Sequence, residues 1–485
     1  IHDRWSEEVC YAPSPGQPAY APDDFFGGDL EGIREKLPYL SGLGVTAIYL
    51  TPVFESSSNH RYNTADYRRI DPILGDEEAF RRLCTEARAL GIRIMLDGVF
   101  SHTGADSRYF DRYSRYDDVG AYESEDSPYR RWYTFHGSRD RYDCWWGFPS
   151  LPNVNELEPS YTEFIAGDDG VIRHWADAGA ADWRLDVADE LPDEFIRILR
   201  ARVKRDDLDG VLLGEVWDDC SNKYGPAGRR GYVNGDELDC AMNYPFTEAA
   251  IAFLAGRADA YALNQALQTL REHYPRPFYE ACLNLISSHD IVRAATALAG
   301  APDRNAVSRA KQAAYRPDEA DVEKGLRLLV LAAALQMALP GVPCVYYGDE
   351  AGMTGMADPF NRAPYPWGSE NQATLSAYTA LMHARRDTPS LRRGLCRMGA
   401  LSPEVFAVIR YLPEGGSAAV LALNRSEREQ AVSLRPDRLC EGPDGETSVP
   451  LPAKMTDVLT GEAIVPSQGE LKTTIPPQTA RLWIG

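Results

Sequence analysis

The stretch Ala181-Asp-Trp-Arg-Leu-Asp186 decides the fold. Arg184 and Asp186 stand two residues apart at the end of a short apolar run, and on a β-strand such residues point to the same side. An arginine held beside a carboxylate favours the ionised form, so we expect Arg184 to lower the pKa of Asp186. An ionised carboxylate can act as a nucleophile. An isolated Arg-x-Asp pair is usually a surface ion pair, however, so the rest of the sequence must distinguish the two interpretations.

Three further apolar runs also end in an acidic residue. They are Ile92-Arg-Ile-Met-Leu-Asp97, Val211-Leu-Leu-Gly-Glu215 and Cys282-Leu-Asn-Leu-Ile-Ser-Ser-His289-Asp290. Helix-like segments lie between them, and strands that alternate with helices indicate a parallel sheet. In an eight-stranded (β/α) barrel the carboxyl ends of all strands converge on one face, where active sites are built. Because four acids at one place repel each other, the pattern indicates a functional site.

The alternation of strands and helices predicts an α/β protein with a (β/α)8 TIM barrel. Seven strands are expected to begin near residues 45, 92, 181, 210, 238, 282 and 342. An eighth would have to come from residues 1–5. Helices are expected between the strands, among them a helix at 160–178 and a long helical region at 247–273.

Two stretches do not fit the barrel pattern. Residues 103–155, after strand 3, are dense in aromatic and charged residues and too long for a plain loop, which indicates an inserted subdomain. The last hundred residues hold short alternating runs separated by turn residues, typical of an antiparallel β-sandwich. The predicted domains are therefore a catalytic barrel (1–102 and 156–392), an inserted domain B (103–155) and a C-terminal β domain (393–485).

Composition limits the possible partners and the location of the chain. Its 485 residues carry a formal net charge of −21, which argues against a nucleic-acid partner. No apolar run approaches the roughly 20 residues of a membrane span, and no signal peptide is visible, so we expect a cytoplasmic protein without a membrane partner. Nine cysteines without C-x-x-C spacing predict neither a zinc site nor a disulfide framework. The sequence does not indicate the oligomeric state.

Five ordered motifs carry a resemblance to a known family. They are Asp97-Gly-Val-Phe-Ser-His102, Leu151-Pro-Asn-Val-Asn155, Trp183-Arg-Leu-Asp-Val-Ala-Asp-Glu190, Gly214-Glu-Val-Trp-Asp-Asp219 and Asn284-Leu-Ile-Ser-Ser-His-Asp290. They resemble the signature regions of the α-amylase family, glycoside hydrolase family 13. The neopullulanase, cyclomaltodextrinase and maltogenic amylase branch is suggested by Glu190, Trp217, Asn59-His-Arg-Tyr-Asn-Thr-Ala-Asp-Tyr67 and Tyr347-Gly-Asp-Glu-Ala-Gly-Met-Thr-Gly355.

The resemblance implies a role for each matching residue. Asp186 would be the nucleophile, Glu215 the general acid/base and Asp290 the stabiliser of the transition state. The implied substrate contacts are Tyr62 and His102 at the cleaved sugar, Arg184 beside the nucleophile, Glu190 and Trp217 on the acceptor side, and His289. Asp97 would support these residues from behind.

The chain departs from many α-amylases at two positions that bind a structural calcium there. Ser101 and Glu190 stand where those enzymes have Asn and His, so we expect no metal and no cofactor.

The resemblance implies a retaining hydrolase that cleaves α-1,4-glucosidic bonds of maltooligosaccharides, cyclodextrins or related α-glucans, with some transglycosylation. Two alternatives stay open at this point. One is an α-glucoside transferase or isomerase on the same barrel, because transfer differs from hydrolysis only in the acceptor that attacks. The other is a catalytically inactive sugar-binding homologue, against which the presence of all three acids argues.

Overall fold

The structure is a computed structural model that describes residues 25–225, 228–439, 449 and 451–485. Within these residues the chain forms two compact units. The first unit contains residues 25–41 and 45–242, and the second unit contains residues 42–44 and 243–485. The predicted strand at residues 1–5 lies outside the described residues.

The first unit is built around a five-stranded parallel sheet in the order β1-β4-β5-β6-β9. The strands of this unit are β1 (Ala47–Tyr49), β2 (Phe54–Ser56), β3 (Thr64–Ile70), β4 (Arg93–Gly98), β5 (Asp182–Leu185), β6 (Leu212–Gly214), β7 (Tyr224–Gly225), β8 (Gly228–Arg229) and β9 (Cys240–Ala241). In the parallel register Asp97 pairs with Arg184, and Leu185 pairs with Gly214. The predicted strand ends at β4, β5 and β6 therefore lie side by side.

Five helices of the described residues lie wholly or mostly in the first unit. They are α1 (Leu30–Leu43), α2 (Glu77–Ala89), α3 (Pro159–Ala166), α4 (Val171–Ala178) and α5 (Asp193–Asp206). The Asp76 side chain accepts a hydrogen bond from the Ala79 amide, as a helix N-cap does. The single helix predicted at 160–178 is wrong, because Gly167 ends α3 and Gly170 begins α4. A β-carbon at Gly170 would meet the Ile165 carbonyl oxygen at 2.7 Å.

The segment 103–155 is held together by aromatic packing. It contains two short 3₁₀ helices, Arg130–Trp132 and Trp145–Gly147, and isolated bridges such as His102 with Asn153. The ring of Phe110 lies 4.7 Å from that of Tyr142. Contacts between aromatic rings, rather than a regular ladder of backbone hydrogen bonds, hold this segment together. Its sequence therefore shows neither the periodicity of a helix nor that of a strand.

The second unit begins with helices around a short parallel pair of strands. Its helices are α6 (Tyr244–Leu254), α7 (Ala260–His273), α8 (Arg276–Ala281), α9 (Ala294–Leu298), α10 (Arg309–Ala314), α11 (Glu319–Ala338), α12 (Gln372–Asp387) and α13 (Pro389–Arg393). The helical region predicted at 247–273 consists of the two helices α6 and α7, because the chain turns at Gly256, whose φ of 77° is left-handed. Strand β10 (Leu283–Leu285) pairs in parallel with β11 (Val342–Cys344).

The C-terminal part of the second unit is antiparallel. Its strands are β12 (Leu395–Ser402), β13 (Val405–Tyr411), β14 (Ala418–Asn424), β15 (Gln430–Leu434), β16 (Met455–Asp457), β17 (Ala463–Ile464), β18 (Leu471–Ile475) and β19 (Thr479–Ile484). They form a six-stranded sheet in the order β12-β13-β14-β19-β16-β17 and a separate β15-β18 pair. Strands β13 and β14 are buried along their whole length. This agrees with the predicted antiparallel β domain.

None of the helices in the described ranges combines the length and the apolar character that crossing a bilayer requires.

Candidate active site

One arginine joins three acidic side chains at the ends of β4, β5 and β6. The guanidinium of Arg184 donates from Nη1 to Asp186 Oδ1 at 2.7 Å and to the two oxygens of Asp97 at 2.8 and 3.0 Å. Its Nη2 lies 3.0 Å from Glu215 Oε2. All four residues are buried. The strand-end pattern therefore correctly predicted that Asp97, Asp186 and Glu215 lie together.

The cluster holds more acids than its single cation can neutralise. Burial raises the pKa of Asp186 well above its ordinary value, Arg184 opposes that rise, and the neighbouring Glu215 and Asp97 carboxylates add to it. Burial likewise raises the pKa of Asp97. The expected lowering of the Asp186 pKa is therefore wrong, because desolvation outweighs the arginine. Asp97 and Asp186 share the Nη1 group of Arg184, so the protonation of one carboxyl group affects that of the other.

Glu215 is fixed through both of its carboxyl oxygens. The Trp217 indole Nε1–H donates to Oε1 at 3.2 Å, and the backbone N–H of Val187 donates to Oε2 at 2.8 Å. Val187 follows Asp186 directly and has a left-handed backbone, with φ 42° and ψ 50°. A β-branched residue rarely adopts this conformation. The N–H group that bonds to Glu215 and the left-handed backbone therefore belong to the same residue, Val187.

Asp97 is held in place by two tyrosines besides Arg184. The hydroxyl groups of Tyr49 and Tyr62 donate to Asp97 Oδ2 at 2.6 and 3.0 Å. This agrees with the predicted supporting position of Asp97. Tyr49 was missed by the sequence analysis, although a polar aromatic at the end of β1, next to β4, was a usable signal.

His102 is buried, and both of its ring nitrogens contact protein groups. Nε2 lies 3.0 Å from the Tyr62 carbonyl oxygen, and Nδ1 lies 2.9 Å from the Ser101 hydroxyl. Because a carbonyl oxygen only accepts, Nε2 carries the proton and Nδ1 accepts from Ser101. Burial lowers the pKa of His102 to about 4, so the ring is neutral near pH 7. The Tyr62 ring stacks on that of His60, with centroids 6.1 Å apart.

Exposed indole rings lie beside these buried groups. Trp217 is 41% exposed and Trp146 is 78% exposed. The Trp146 Nε1–H donates to Glu190 Oε1 at 2.7 Å, and the Trp146 ring stacks on that of Trp145. The Trp145 ring in turn lies 5.6 Å from that of His102. The sequence analysis missed the two tryptophans of the inserted segment; their place just before the motif at 151–155 was the signal.

His289 and Asp290 belong to the second unit and follow β10. His289 Nε2 lies 3.4 Å from Asp290 Oδ2, to which the Tyr244 hydroxyl donates at 3.3 Å. Arg304 donates to the Asp290 carbonyl oxygen at 2.7 Å, and Arg362 donates to that of His289 at 3.2 Å. Side chains of other loops therefore fix the backbone of this pair.

Ser101 and Glu190 are the two positions at which the sequence argues against a calcium site, and both contact protein groups. Ser101 bonds to the His102 ring, and Glu190 bonds to Trp146. Within the ranges that the structure describes, no group of three or more His, Cys, Asp or Glu side chains is placed to hold a metal ion.

Comparisons with known proteins indicate the family to which this chain is similar. The model of the alpha-amylase catalytic domain matches residues 7–390. Neopullulanase 2 of Thermoactinomyces vulgaris is 35% identical over 476 residues, covering 96% of this chain and 72% of that protein. The ligand-free structure of the cyclic alpha-maltosyl-(1→6)-maltose hydrolase from Arthrobacter globiformis is 31% identical, with a TM-score of 0.78, and covers 100% of this chain and 94% of that one.

Some relatives are much longer than this chain. An amylopullulanase of Thermoanaerobacterium saccharolyticum is 36% identical over 481 residues, which cover 90% of this chain and 36% of that protein. In two further amylopullulanases the matched share of the relative is 25% and 33%.

Proposed function

The chain belongs to the alpha-amylase family, and on that basis we propose that it is a retaining α-glucan hydrolase. It cleaves α-1,4-glucosidic bonds of maltooligosaccharides, cyclodextrins or related α-glucans, and it transfers part of the released glycosyl groups to sugar acceptors. Relatives named neopullulanase, cyclomaltodextrinase and maltogenic amylase support this substrate class.

The observation that carries the proposal is the single guanidinium of Arg184 between Asp186 and Glu215. A retaining glycosidase needs two carboxyl groups close together, one ionised and one protonated. Arg184 contacts Asp186 through Oδ1, which leaves Oδ2 to attack the anomeric carbon. In the proposed reaction Asp186, whose ionised form Arg184 favours, attacks, and Glu215 is the acid that donates a proton to the leaving glycosidic oxygen.

The second half of the reaction uses the same groups in reverse. Once the glycosyl group is bonded to Asp186, the ionised Glu215 removes a proton from water or from a sugar hydroxyl. The incoming oxygen then displaces Asp186 from the anomeric carbon. Two inversions give products with the original anomeric configuration.

The remaining predicted residues are assigned by their motifs. Tyr62 and His102 would contact the sugar at the cleaved bond. Asp290, with His289, would bind sugar hydroxyls in the transition state; this assignment rests on the sequence motif alone.

Acceptor binding is proposed at the exposed indole rings. Trp217 contacts Glu215 and offers a broad apolar face beside the acid/base, and Trp146 offers a second such face beside Glu190. A sugar that stacks there competes with water for the glycosyl-enzyme, which explains the proposed transfer.

The domain division and the location of the protein also stay proposals. We keep the barrel at 1–102 and 156–392, the inserted domain at 103–155 and the C-terminal domain at 393–485. A Bacillus subtilis relative is named an intracellular maltogenic amylase, which supports the expected cytoplasmic location. No nucleic-acid or membrane partner is proposed.

The test compares kcat/KM on β-cyclodextrin, pullulan, maltotriose and soluble starch, and follows the anomers of early products by NMR. We expect cleavage with retained configuration and a preference for the short and cyclic substrates. Inverted products would contradict the mechanism. Absence of cleavage on all four substrates, with a folded protein, would contradict the proposed function.

A further inference from the structure

Two buried side chains clamp the turn that follows the proposed nucleophile. The hydroxyl of Tyr232, on a fully buried ring, shares its single proton between the Ala188 carbonyl oxygen at 3.1 Å and Asp189 Oδ1 at 3.0 Å. Arg230 Nη2 donates to the Asp189 carbonyl oxygen at 2.6 Å and to that of Ala188 at 3.3 Å. The two consecutive carbonyl groups at 188 and 189 are therefore held from one side.

The clamp is itself fixed by the fold. Arg230 follows the hairpin β7–β8, and its backbone N–H donates to the Lys223 carbonyl oxygen at 2.8 Å. Its guanidinium also pairs with Asp193 and lies 5.1 Å from the centre of the Tyr232 ring. These contacts fix the side chains of Arg230 and Tyr232. The two side chains would therefore not move together with the turn if the turn changed its conformation.

The residue just before the clamped carbonyls is Val187, whose left-handed backbone is costly for a β-branched side chain. In this conformation its N–H reaches Glu215 Oε2 at 2.8 Å. While the 186–187 peptide keeps its hydrogen bond to Glu215, rotation of Val187 to an ordinary negative φ would displace the 188–189 peptide and break the contacts to Tyr232 and Arg230. The strain at Val187 is thus maintained by residues that lie more than forty positions further along the chain.

We propose that Tyr232 and Arg230 are positioning residues for the general acid/base. By holding the carbonyl groups at 188 and 189 they keep Val187 left-handed, and the Val187 N–H then holds the Glu215 carboxyl group at the angle at which it protonates the leaving oxygen. The inference rests on the proposed function, since it gives the clamp its role through Glu215.

The substitution Tyr232→Phe removes one hydroxyl and keeps the packed ring. We expect kcat/KM on maltotriose to fall by about tenfold, part of the roughly 10²–10⁴-fold that general acid catalysis supplies. On α-maltosyl fluoride, whose leaving group needs little protonation, we expect a loss below about threefold. Equal losses on both substrates would mean that Tyr232 supports the structure of the active site as a whole and not the general acid in particular. That result would overturn the proposal.

The matched control is Tyr142→Phe. This buried tyrosine also donates to a backbone carbonyl, that of Pro149 at 2.7 Å, and also lies beside an arginine, Arg112. It makes no contact with the turn at 187–190. We expect equal effects on the two substrates, and a selective loss on maltotriose in the control would overturn the assignment to Tyr232.

A double variant separates the strain from the other effects of the hydroxyl. Glycine adopts a left-handed backbone without cost, so Val187→Gly makes the clamp unnecessary. In this background we expect Tyr232→Phe to lower kcat/KM on maltotriose less than about threefold. A tenfold loss that persists in the glycine background would contradict the proposal.

A structural measurement decides the inference without reference to activity. In a crystal structure of Tyr232→Phe we expect Val187 to lose its positive φ and its N–H to move out of hydrogen-bond distance of Glu215. An unchanged distance of 2.8 Å would overturn the inference. If the wild-type protein cleaves neither substrate, the proposed function fails while this measurement still decides the clamp.

Discussion

His102 provides a prediction with a magnitude, because its ring is buried beside the proposed site and titrates far from its ordinary range. Burial lowers the pKa of His102 from 6.5 to about 4 in the folded protein. Between these two pH values the unfolded chain binds a proton that the folded protein does not, so stability falls as the pH falls through this window. At about 1.4 kcal/mol per pKa unit the full loss, reached below pH 4, is about 3 kcal/mol.

Two measurements check this prediction. The ring titration of His102 can be followed by NMR of ¹³C-labelled histidine, with the signal assigned by its absence in His102→Gln. The dependence of Tm on pH between 6.5 and 4.5 should be shallower in His102→Gln than in the wild type. Ser101→Ala is the matched control, because it removes the hydroxyl partner but keeps the titrating ring. A His102 signal that titrates near pH 6.5, or an equal Tm slope in the His102→Gln variant, would refute the reasoning.

Three further predictions concern the catalytic groups and metal. Glu215→Gln should lose most activity on maltooligosaccharides but retain cleavage of α-maltosyl fluoride, since glycosylation then needs no acid; near-native kcat/KM on maltotriose would contradict the assignment. Trp217→Ala should lower the ratio of transfer to hydrolysis at high maltose concentration, measured by product chromatography, and an unchanged ratio would remove Trp217 from the acceptor site. EDTA should leave Tm unchanged, because Ser101 and Glu190 contact protein groups; a large drop would reveal a structural metal ion.

The fold and the family could be predicted because their signals are local. Apolar runs ending in Asp97, Asp186 and Glu215 predicted parallel strands, and the sheet order β4-β5-β6 places those ends together. The (β/α)8 barrel is the fold of the alpha-amylase catalytic domain, so the predicted fold class is confirmed, as is the predicted family. The proposed paired-carboxylate chemistry rests on the same strand ends.

Element boundaries were less predictable, because competing local signals decide them. The apolar run at 238–244 predicted one strand, but only Cys240–Ala241 pairs with a neighbour. Asn243 instead caps helix α6 by accepting from the Phe246 amide, and Pro245 occupies the first turn. A cap and a proline inside an apolar run therefore shortened the strand.

Several features of the site depend on tertiary structure and had no sequence signal. The raised pKa of Asp186 results from joint burial with Asp97 and Glu215, whereas the Arg-x-Asp spacing alone predicted a lowered value. Val187 has a left-handed backbone, and the distant Tyr232 contacts the carbonyl group of the next residue. The spacing of two residues in the sequence indicates neither how deeply they are buried nor which residues from distant parts of the chain contact them.

The central claim is that Asp186 becomes covalently glycosylated during turnover. The most direct measurement is to trap this intermediate with a 5-fluoro-α-glucosyl fluoride, digest the protein and locate the added mass by tandem mass spectrometry. The account predicts one glucosyl label on Asp186, formed as activity is lost and absent in Asp186→Asn. A label on another residue, or cleavage with inverted configuration and no label, would contradict it.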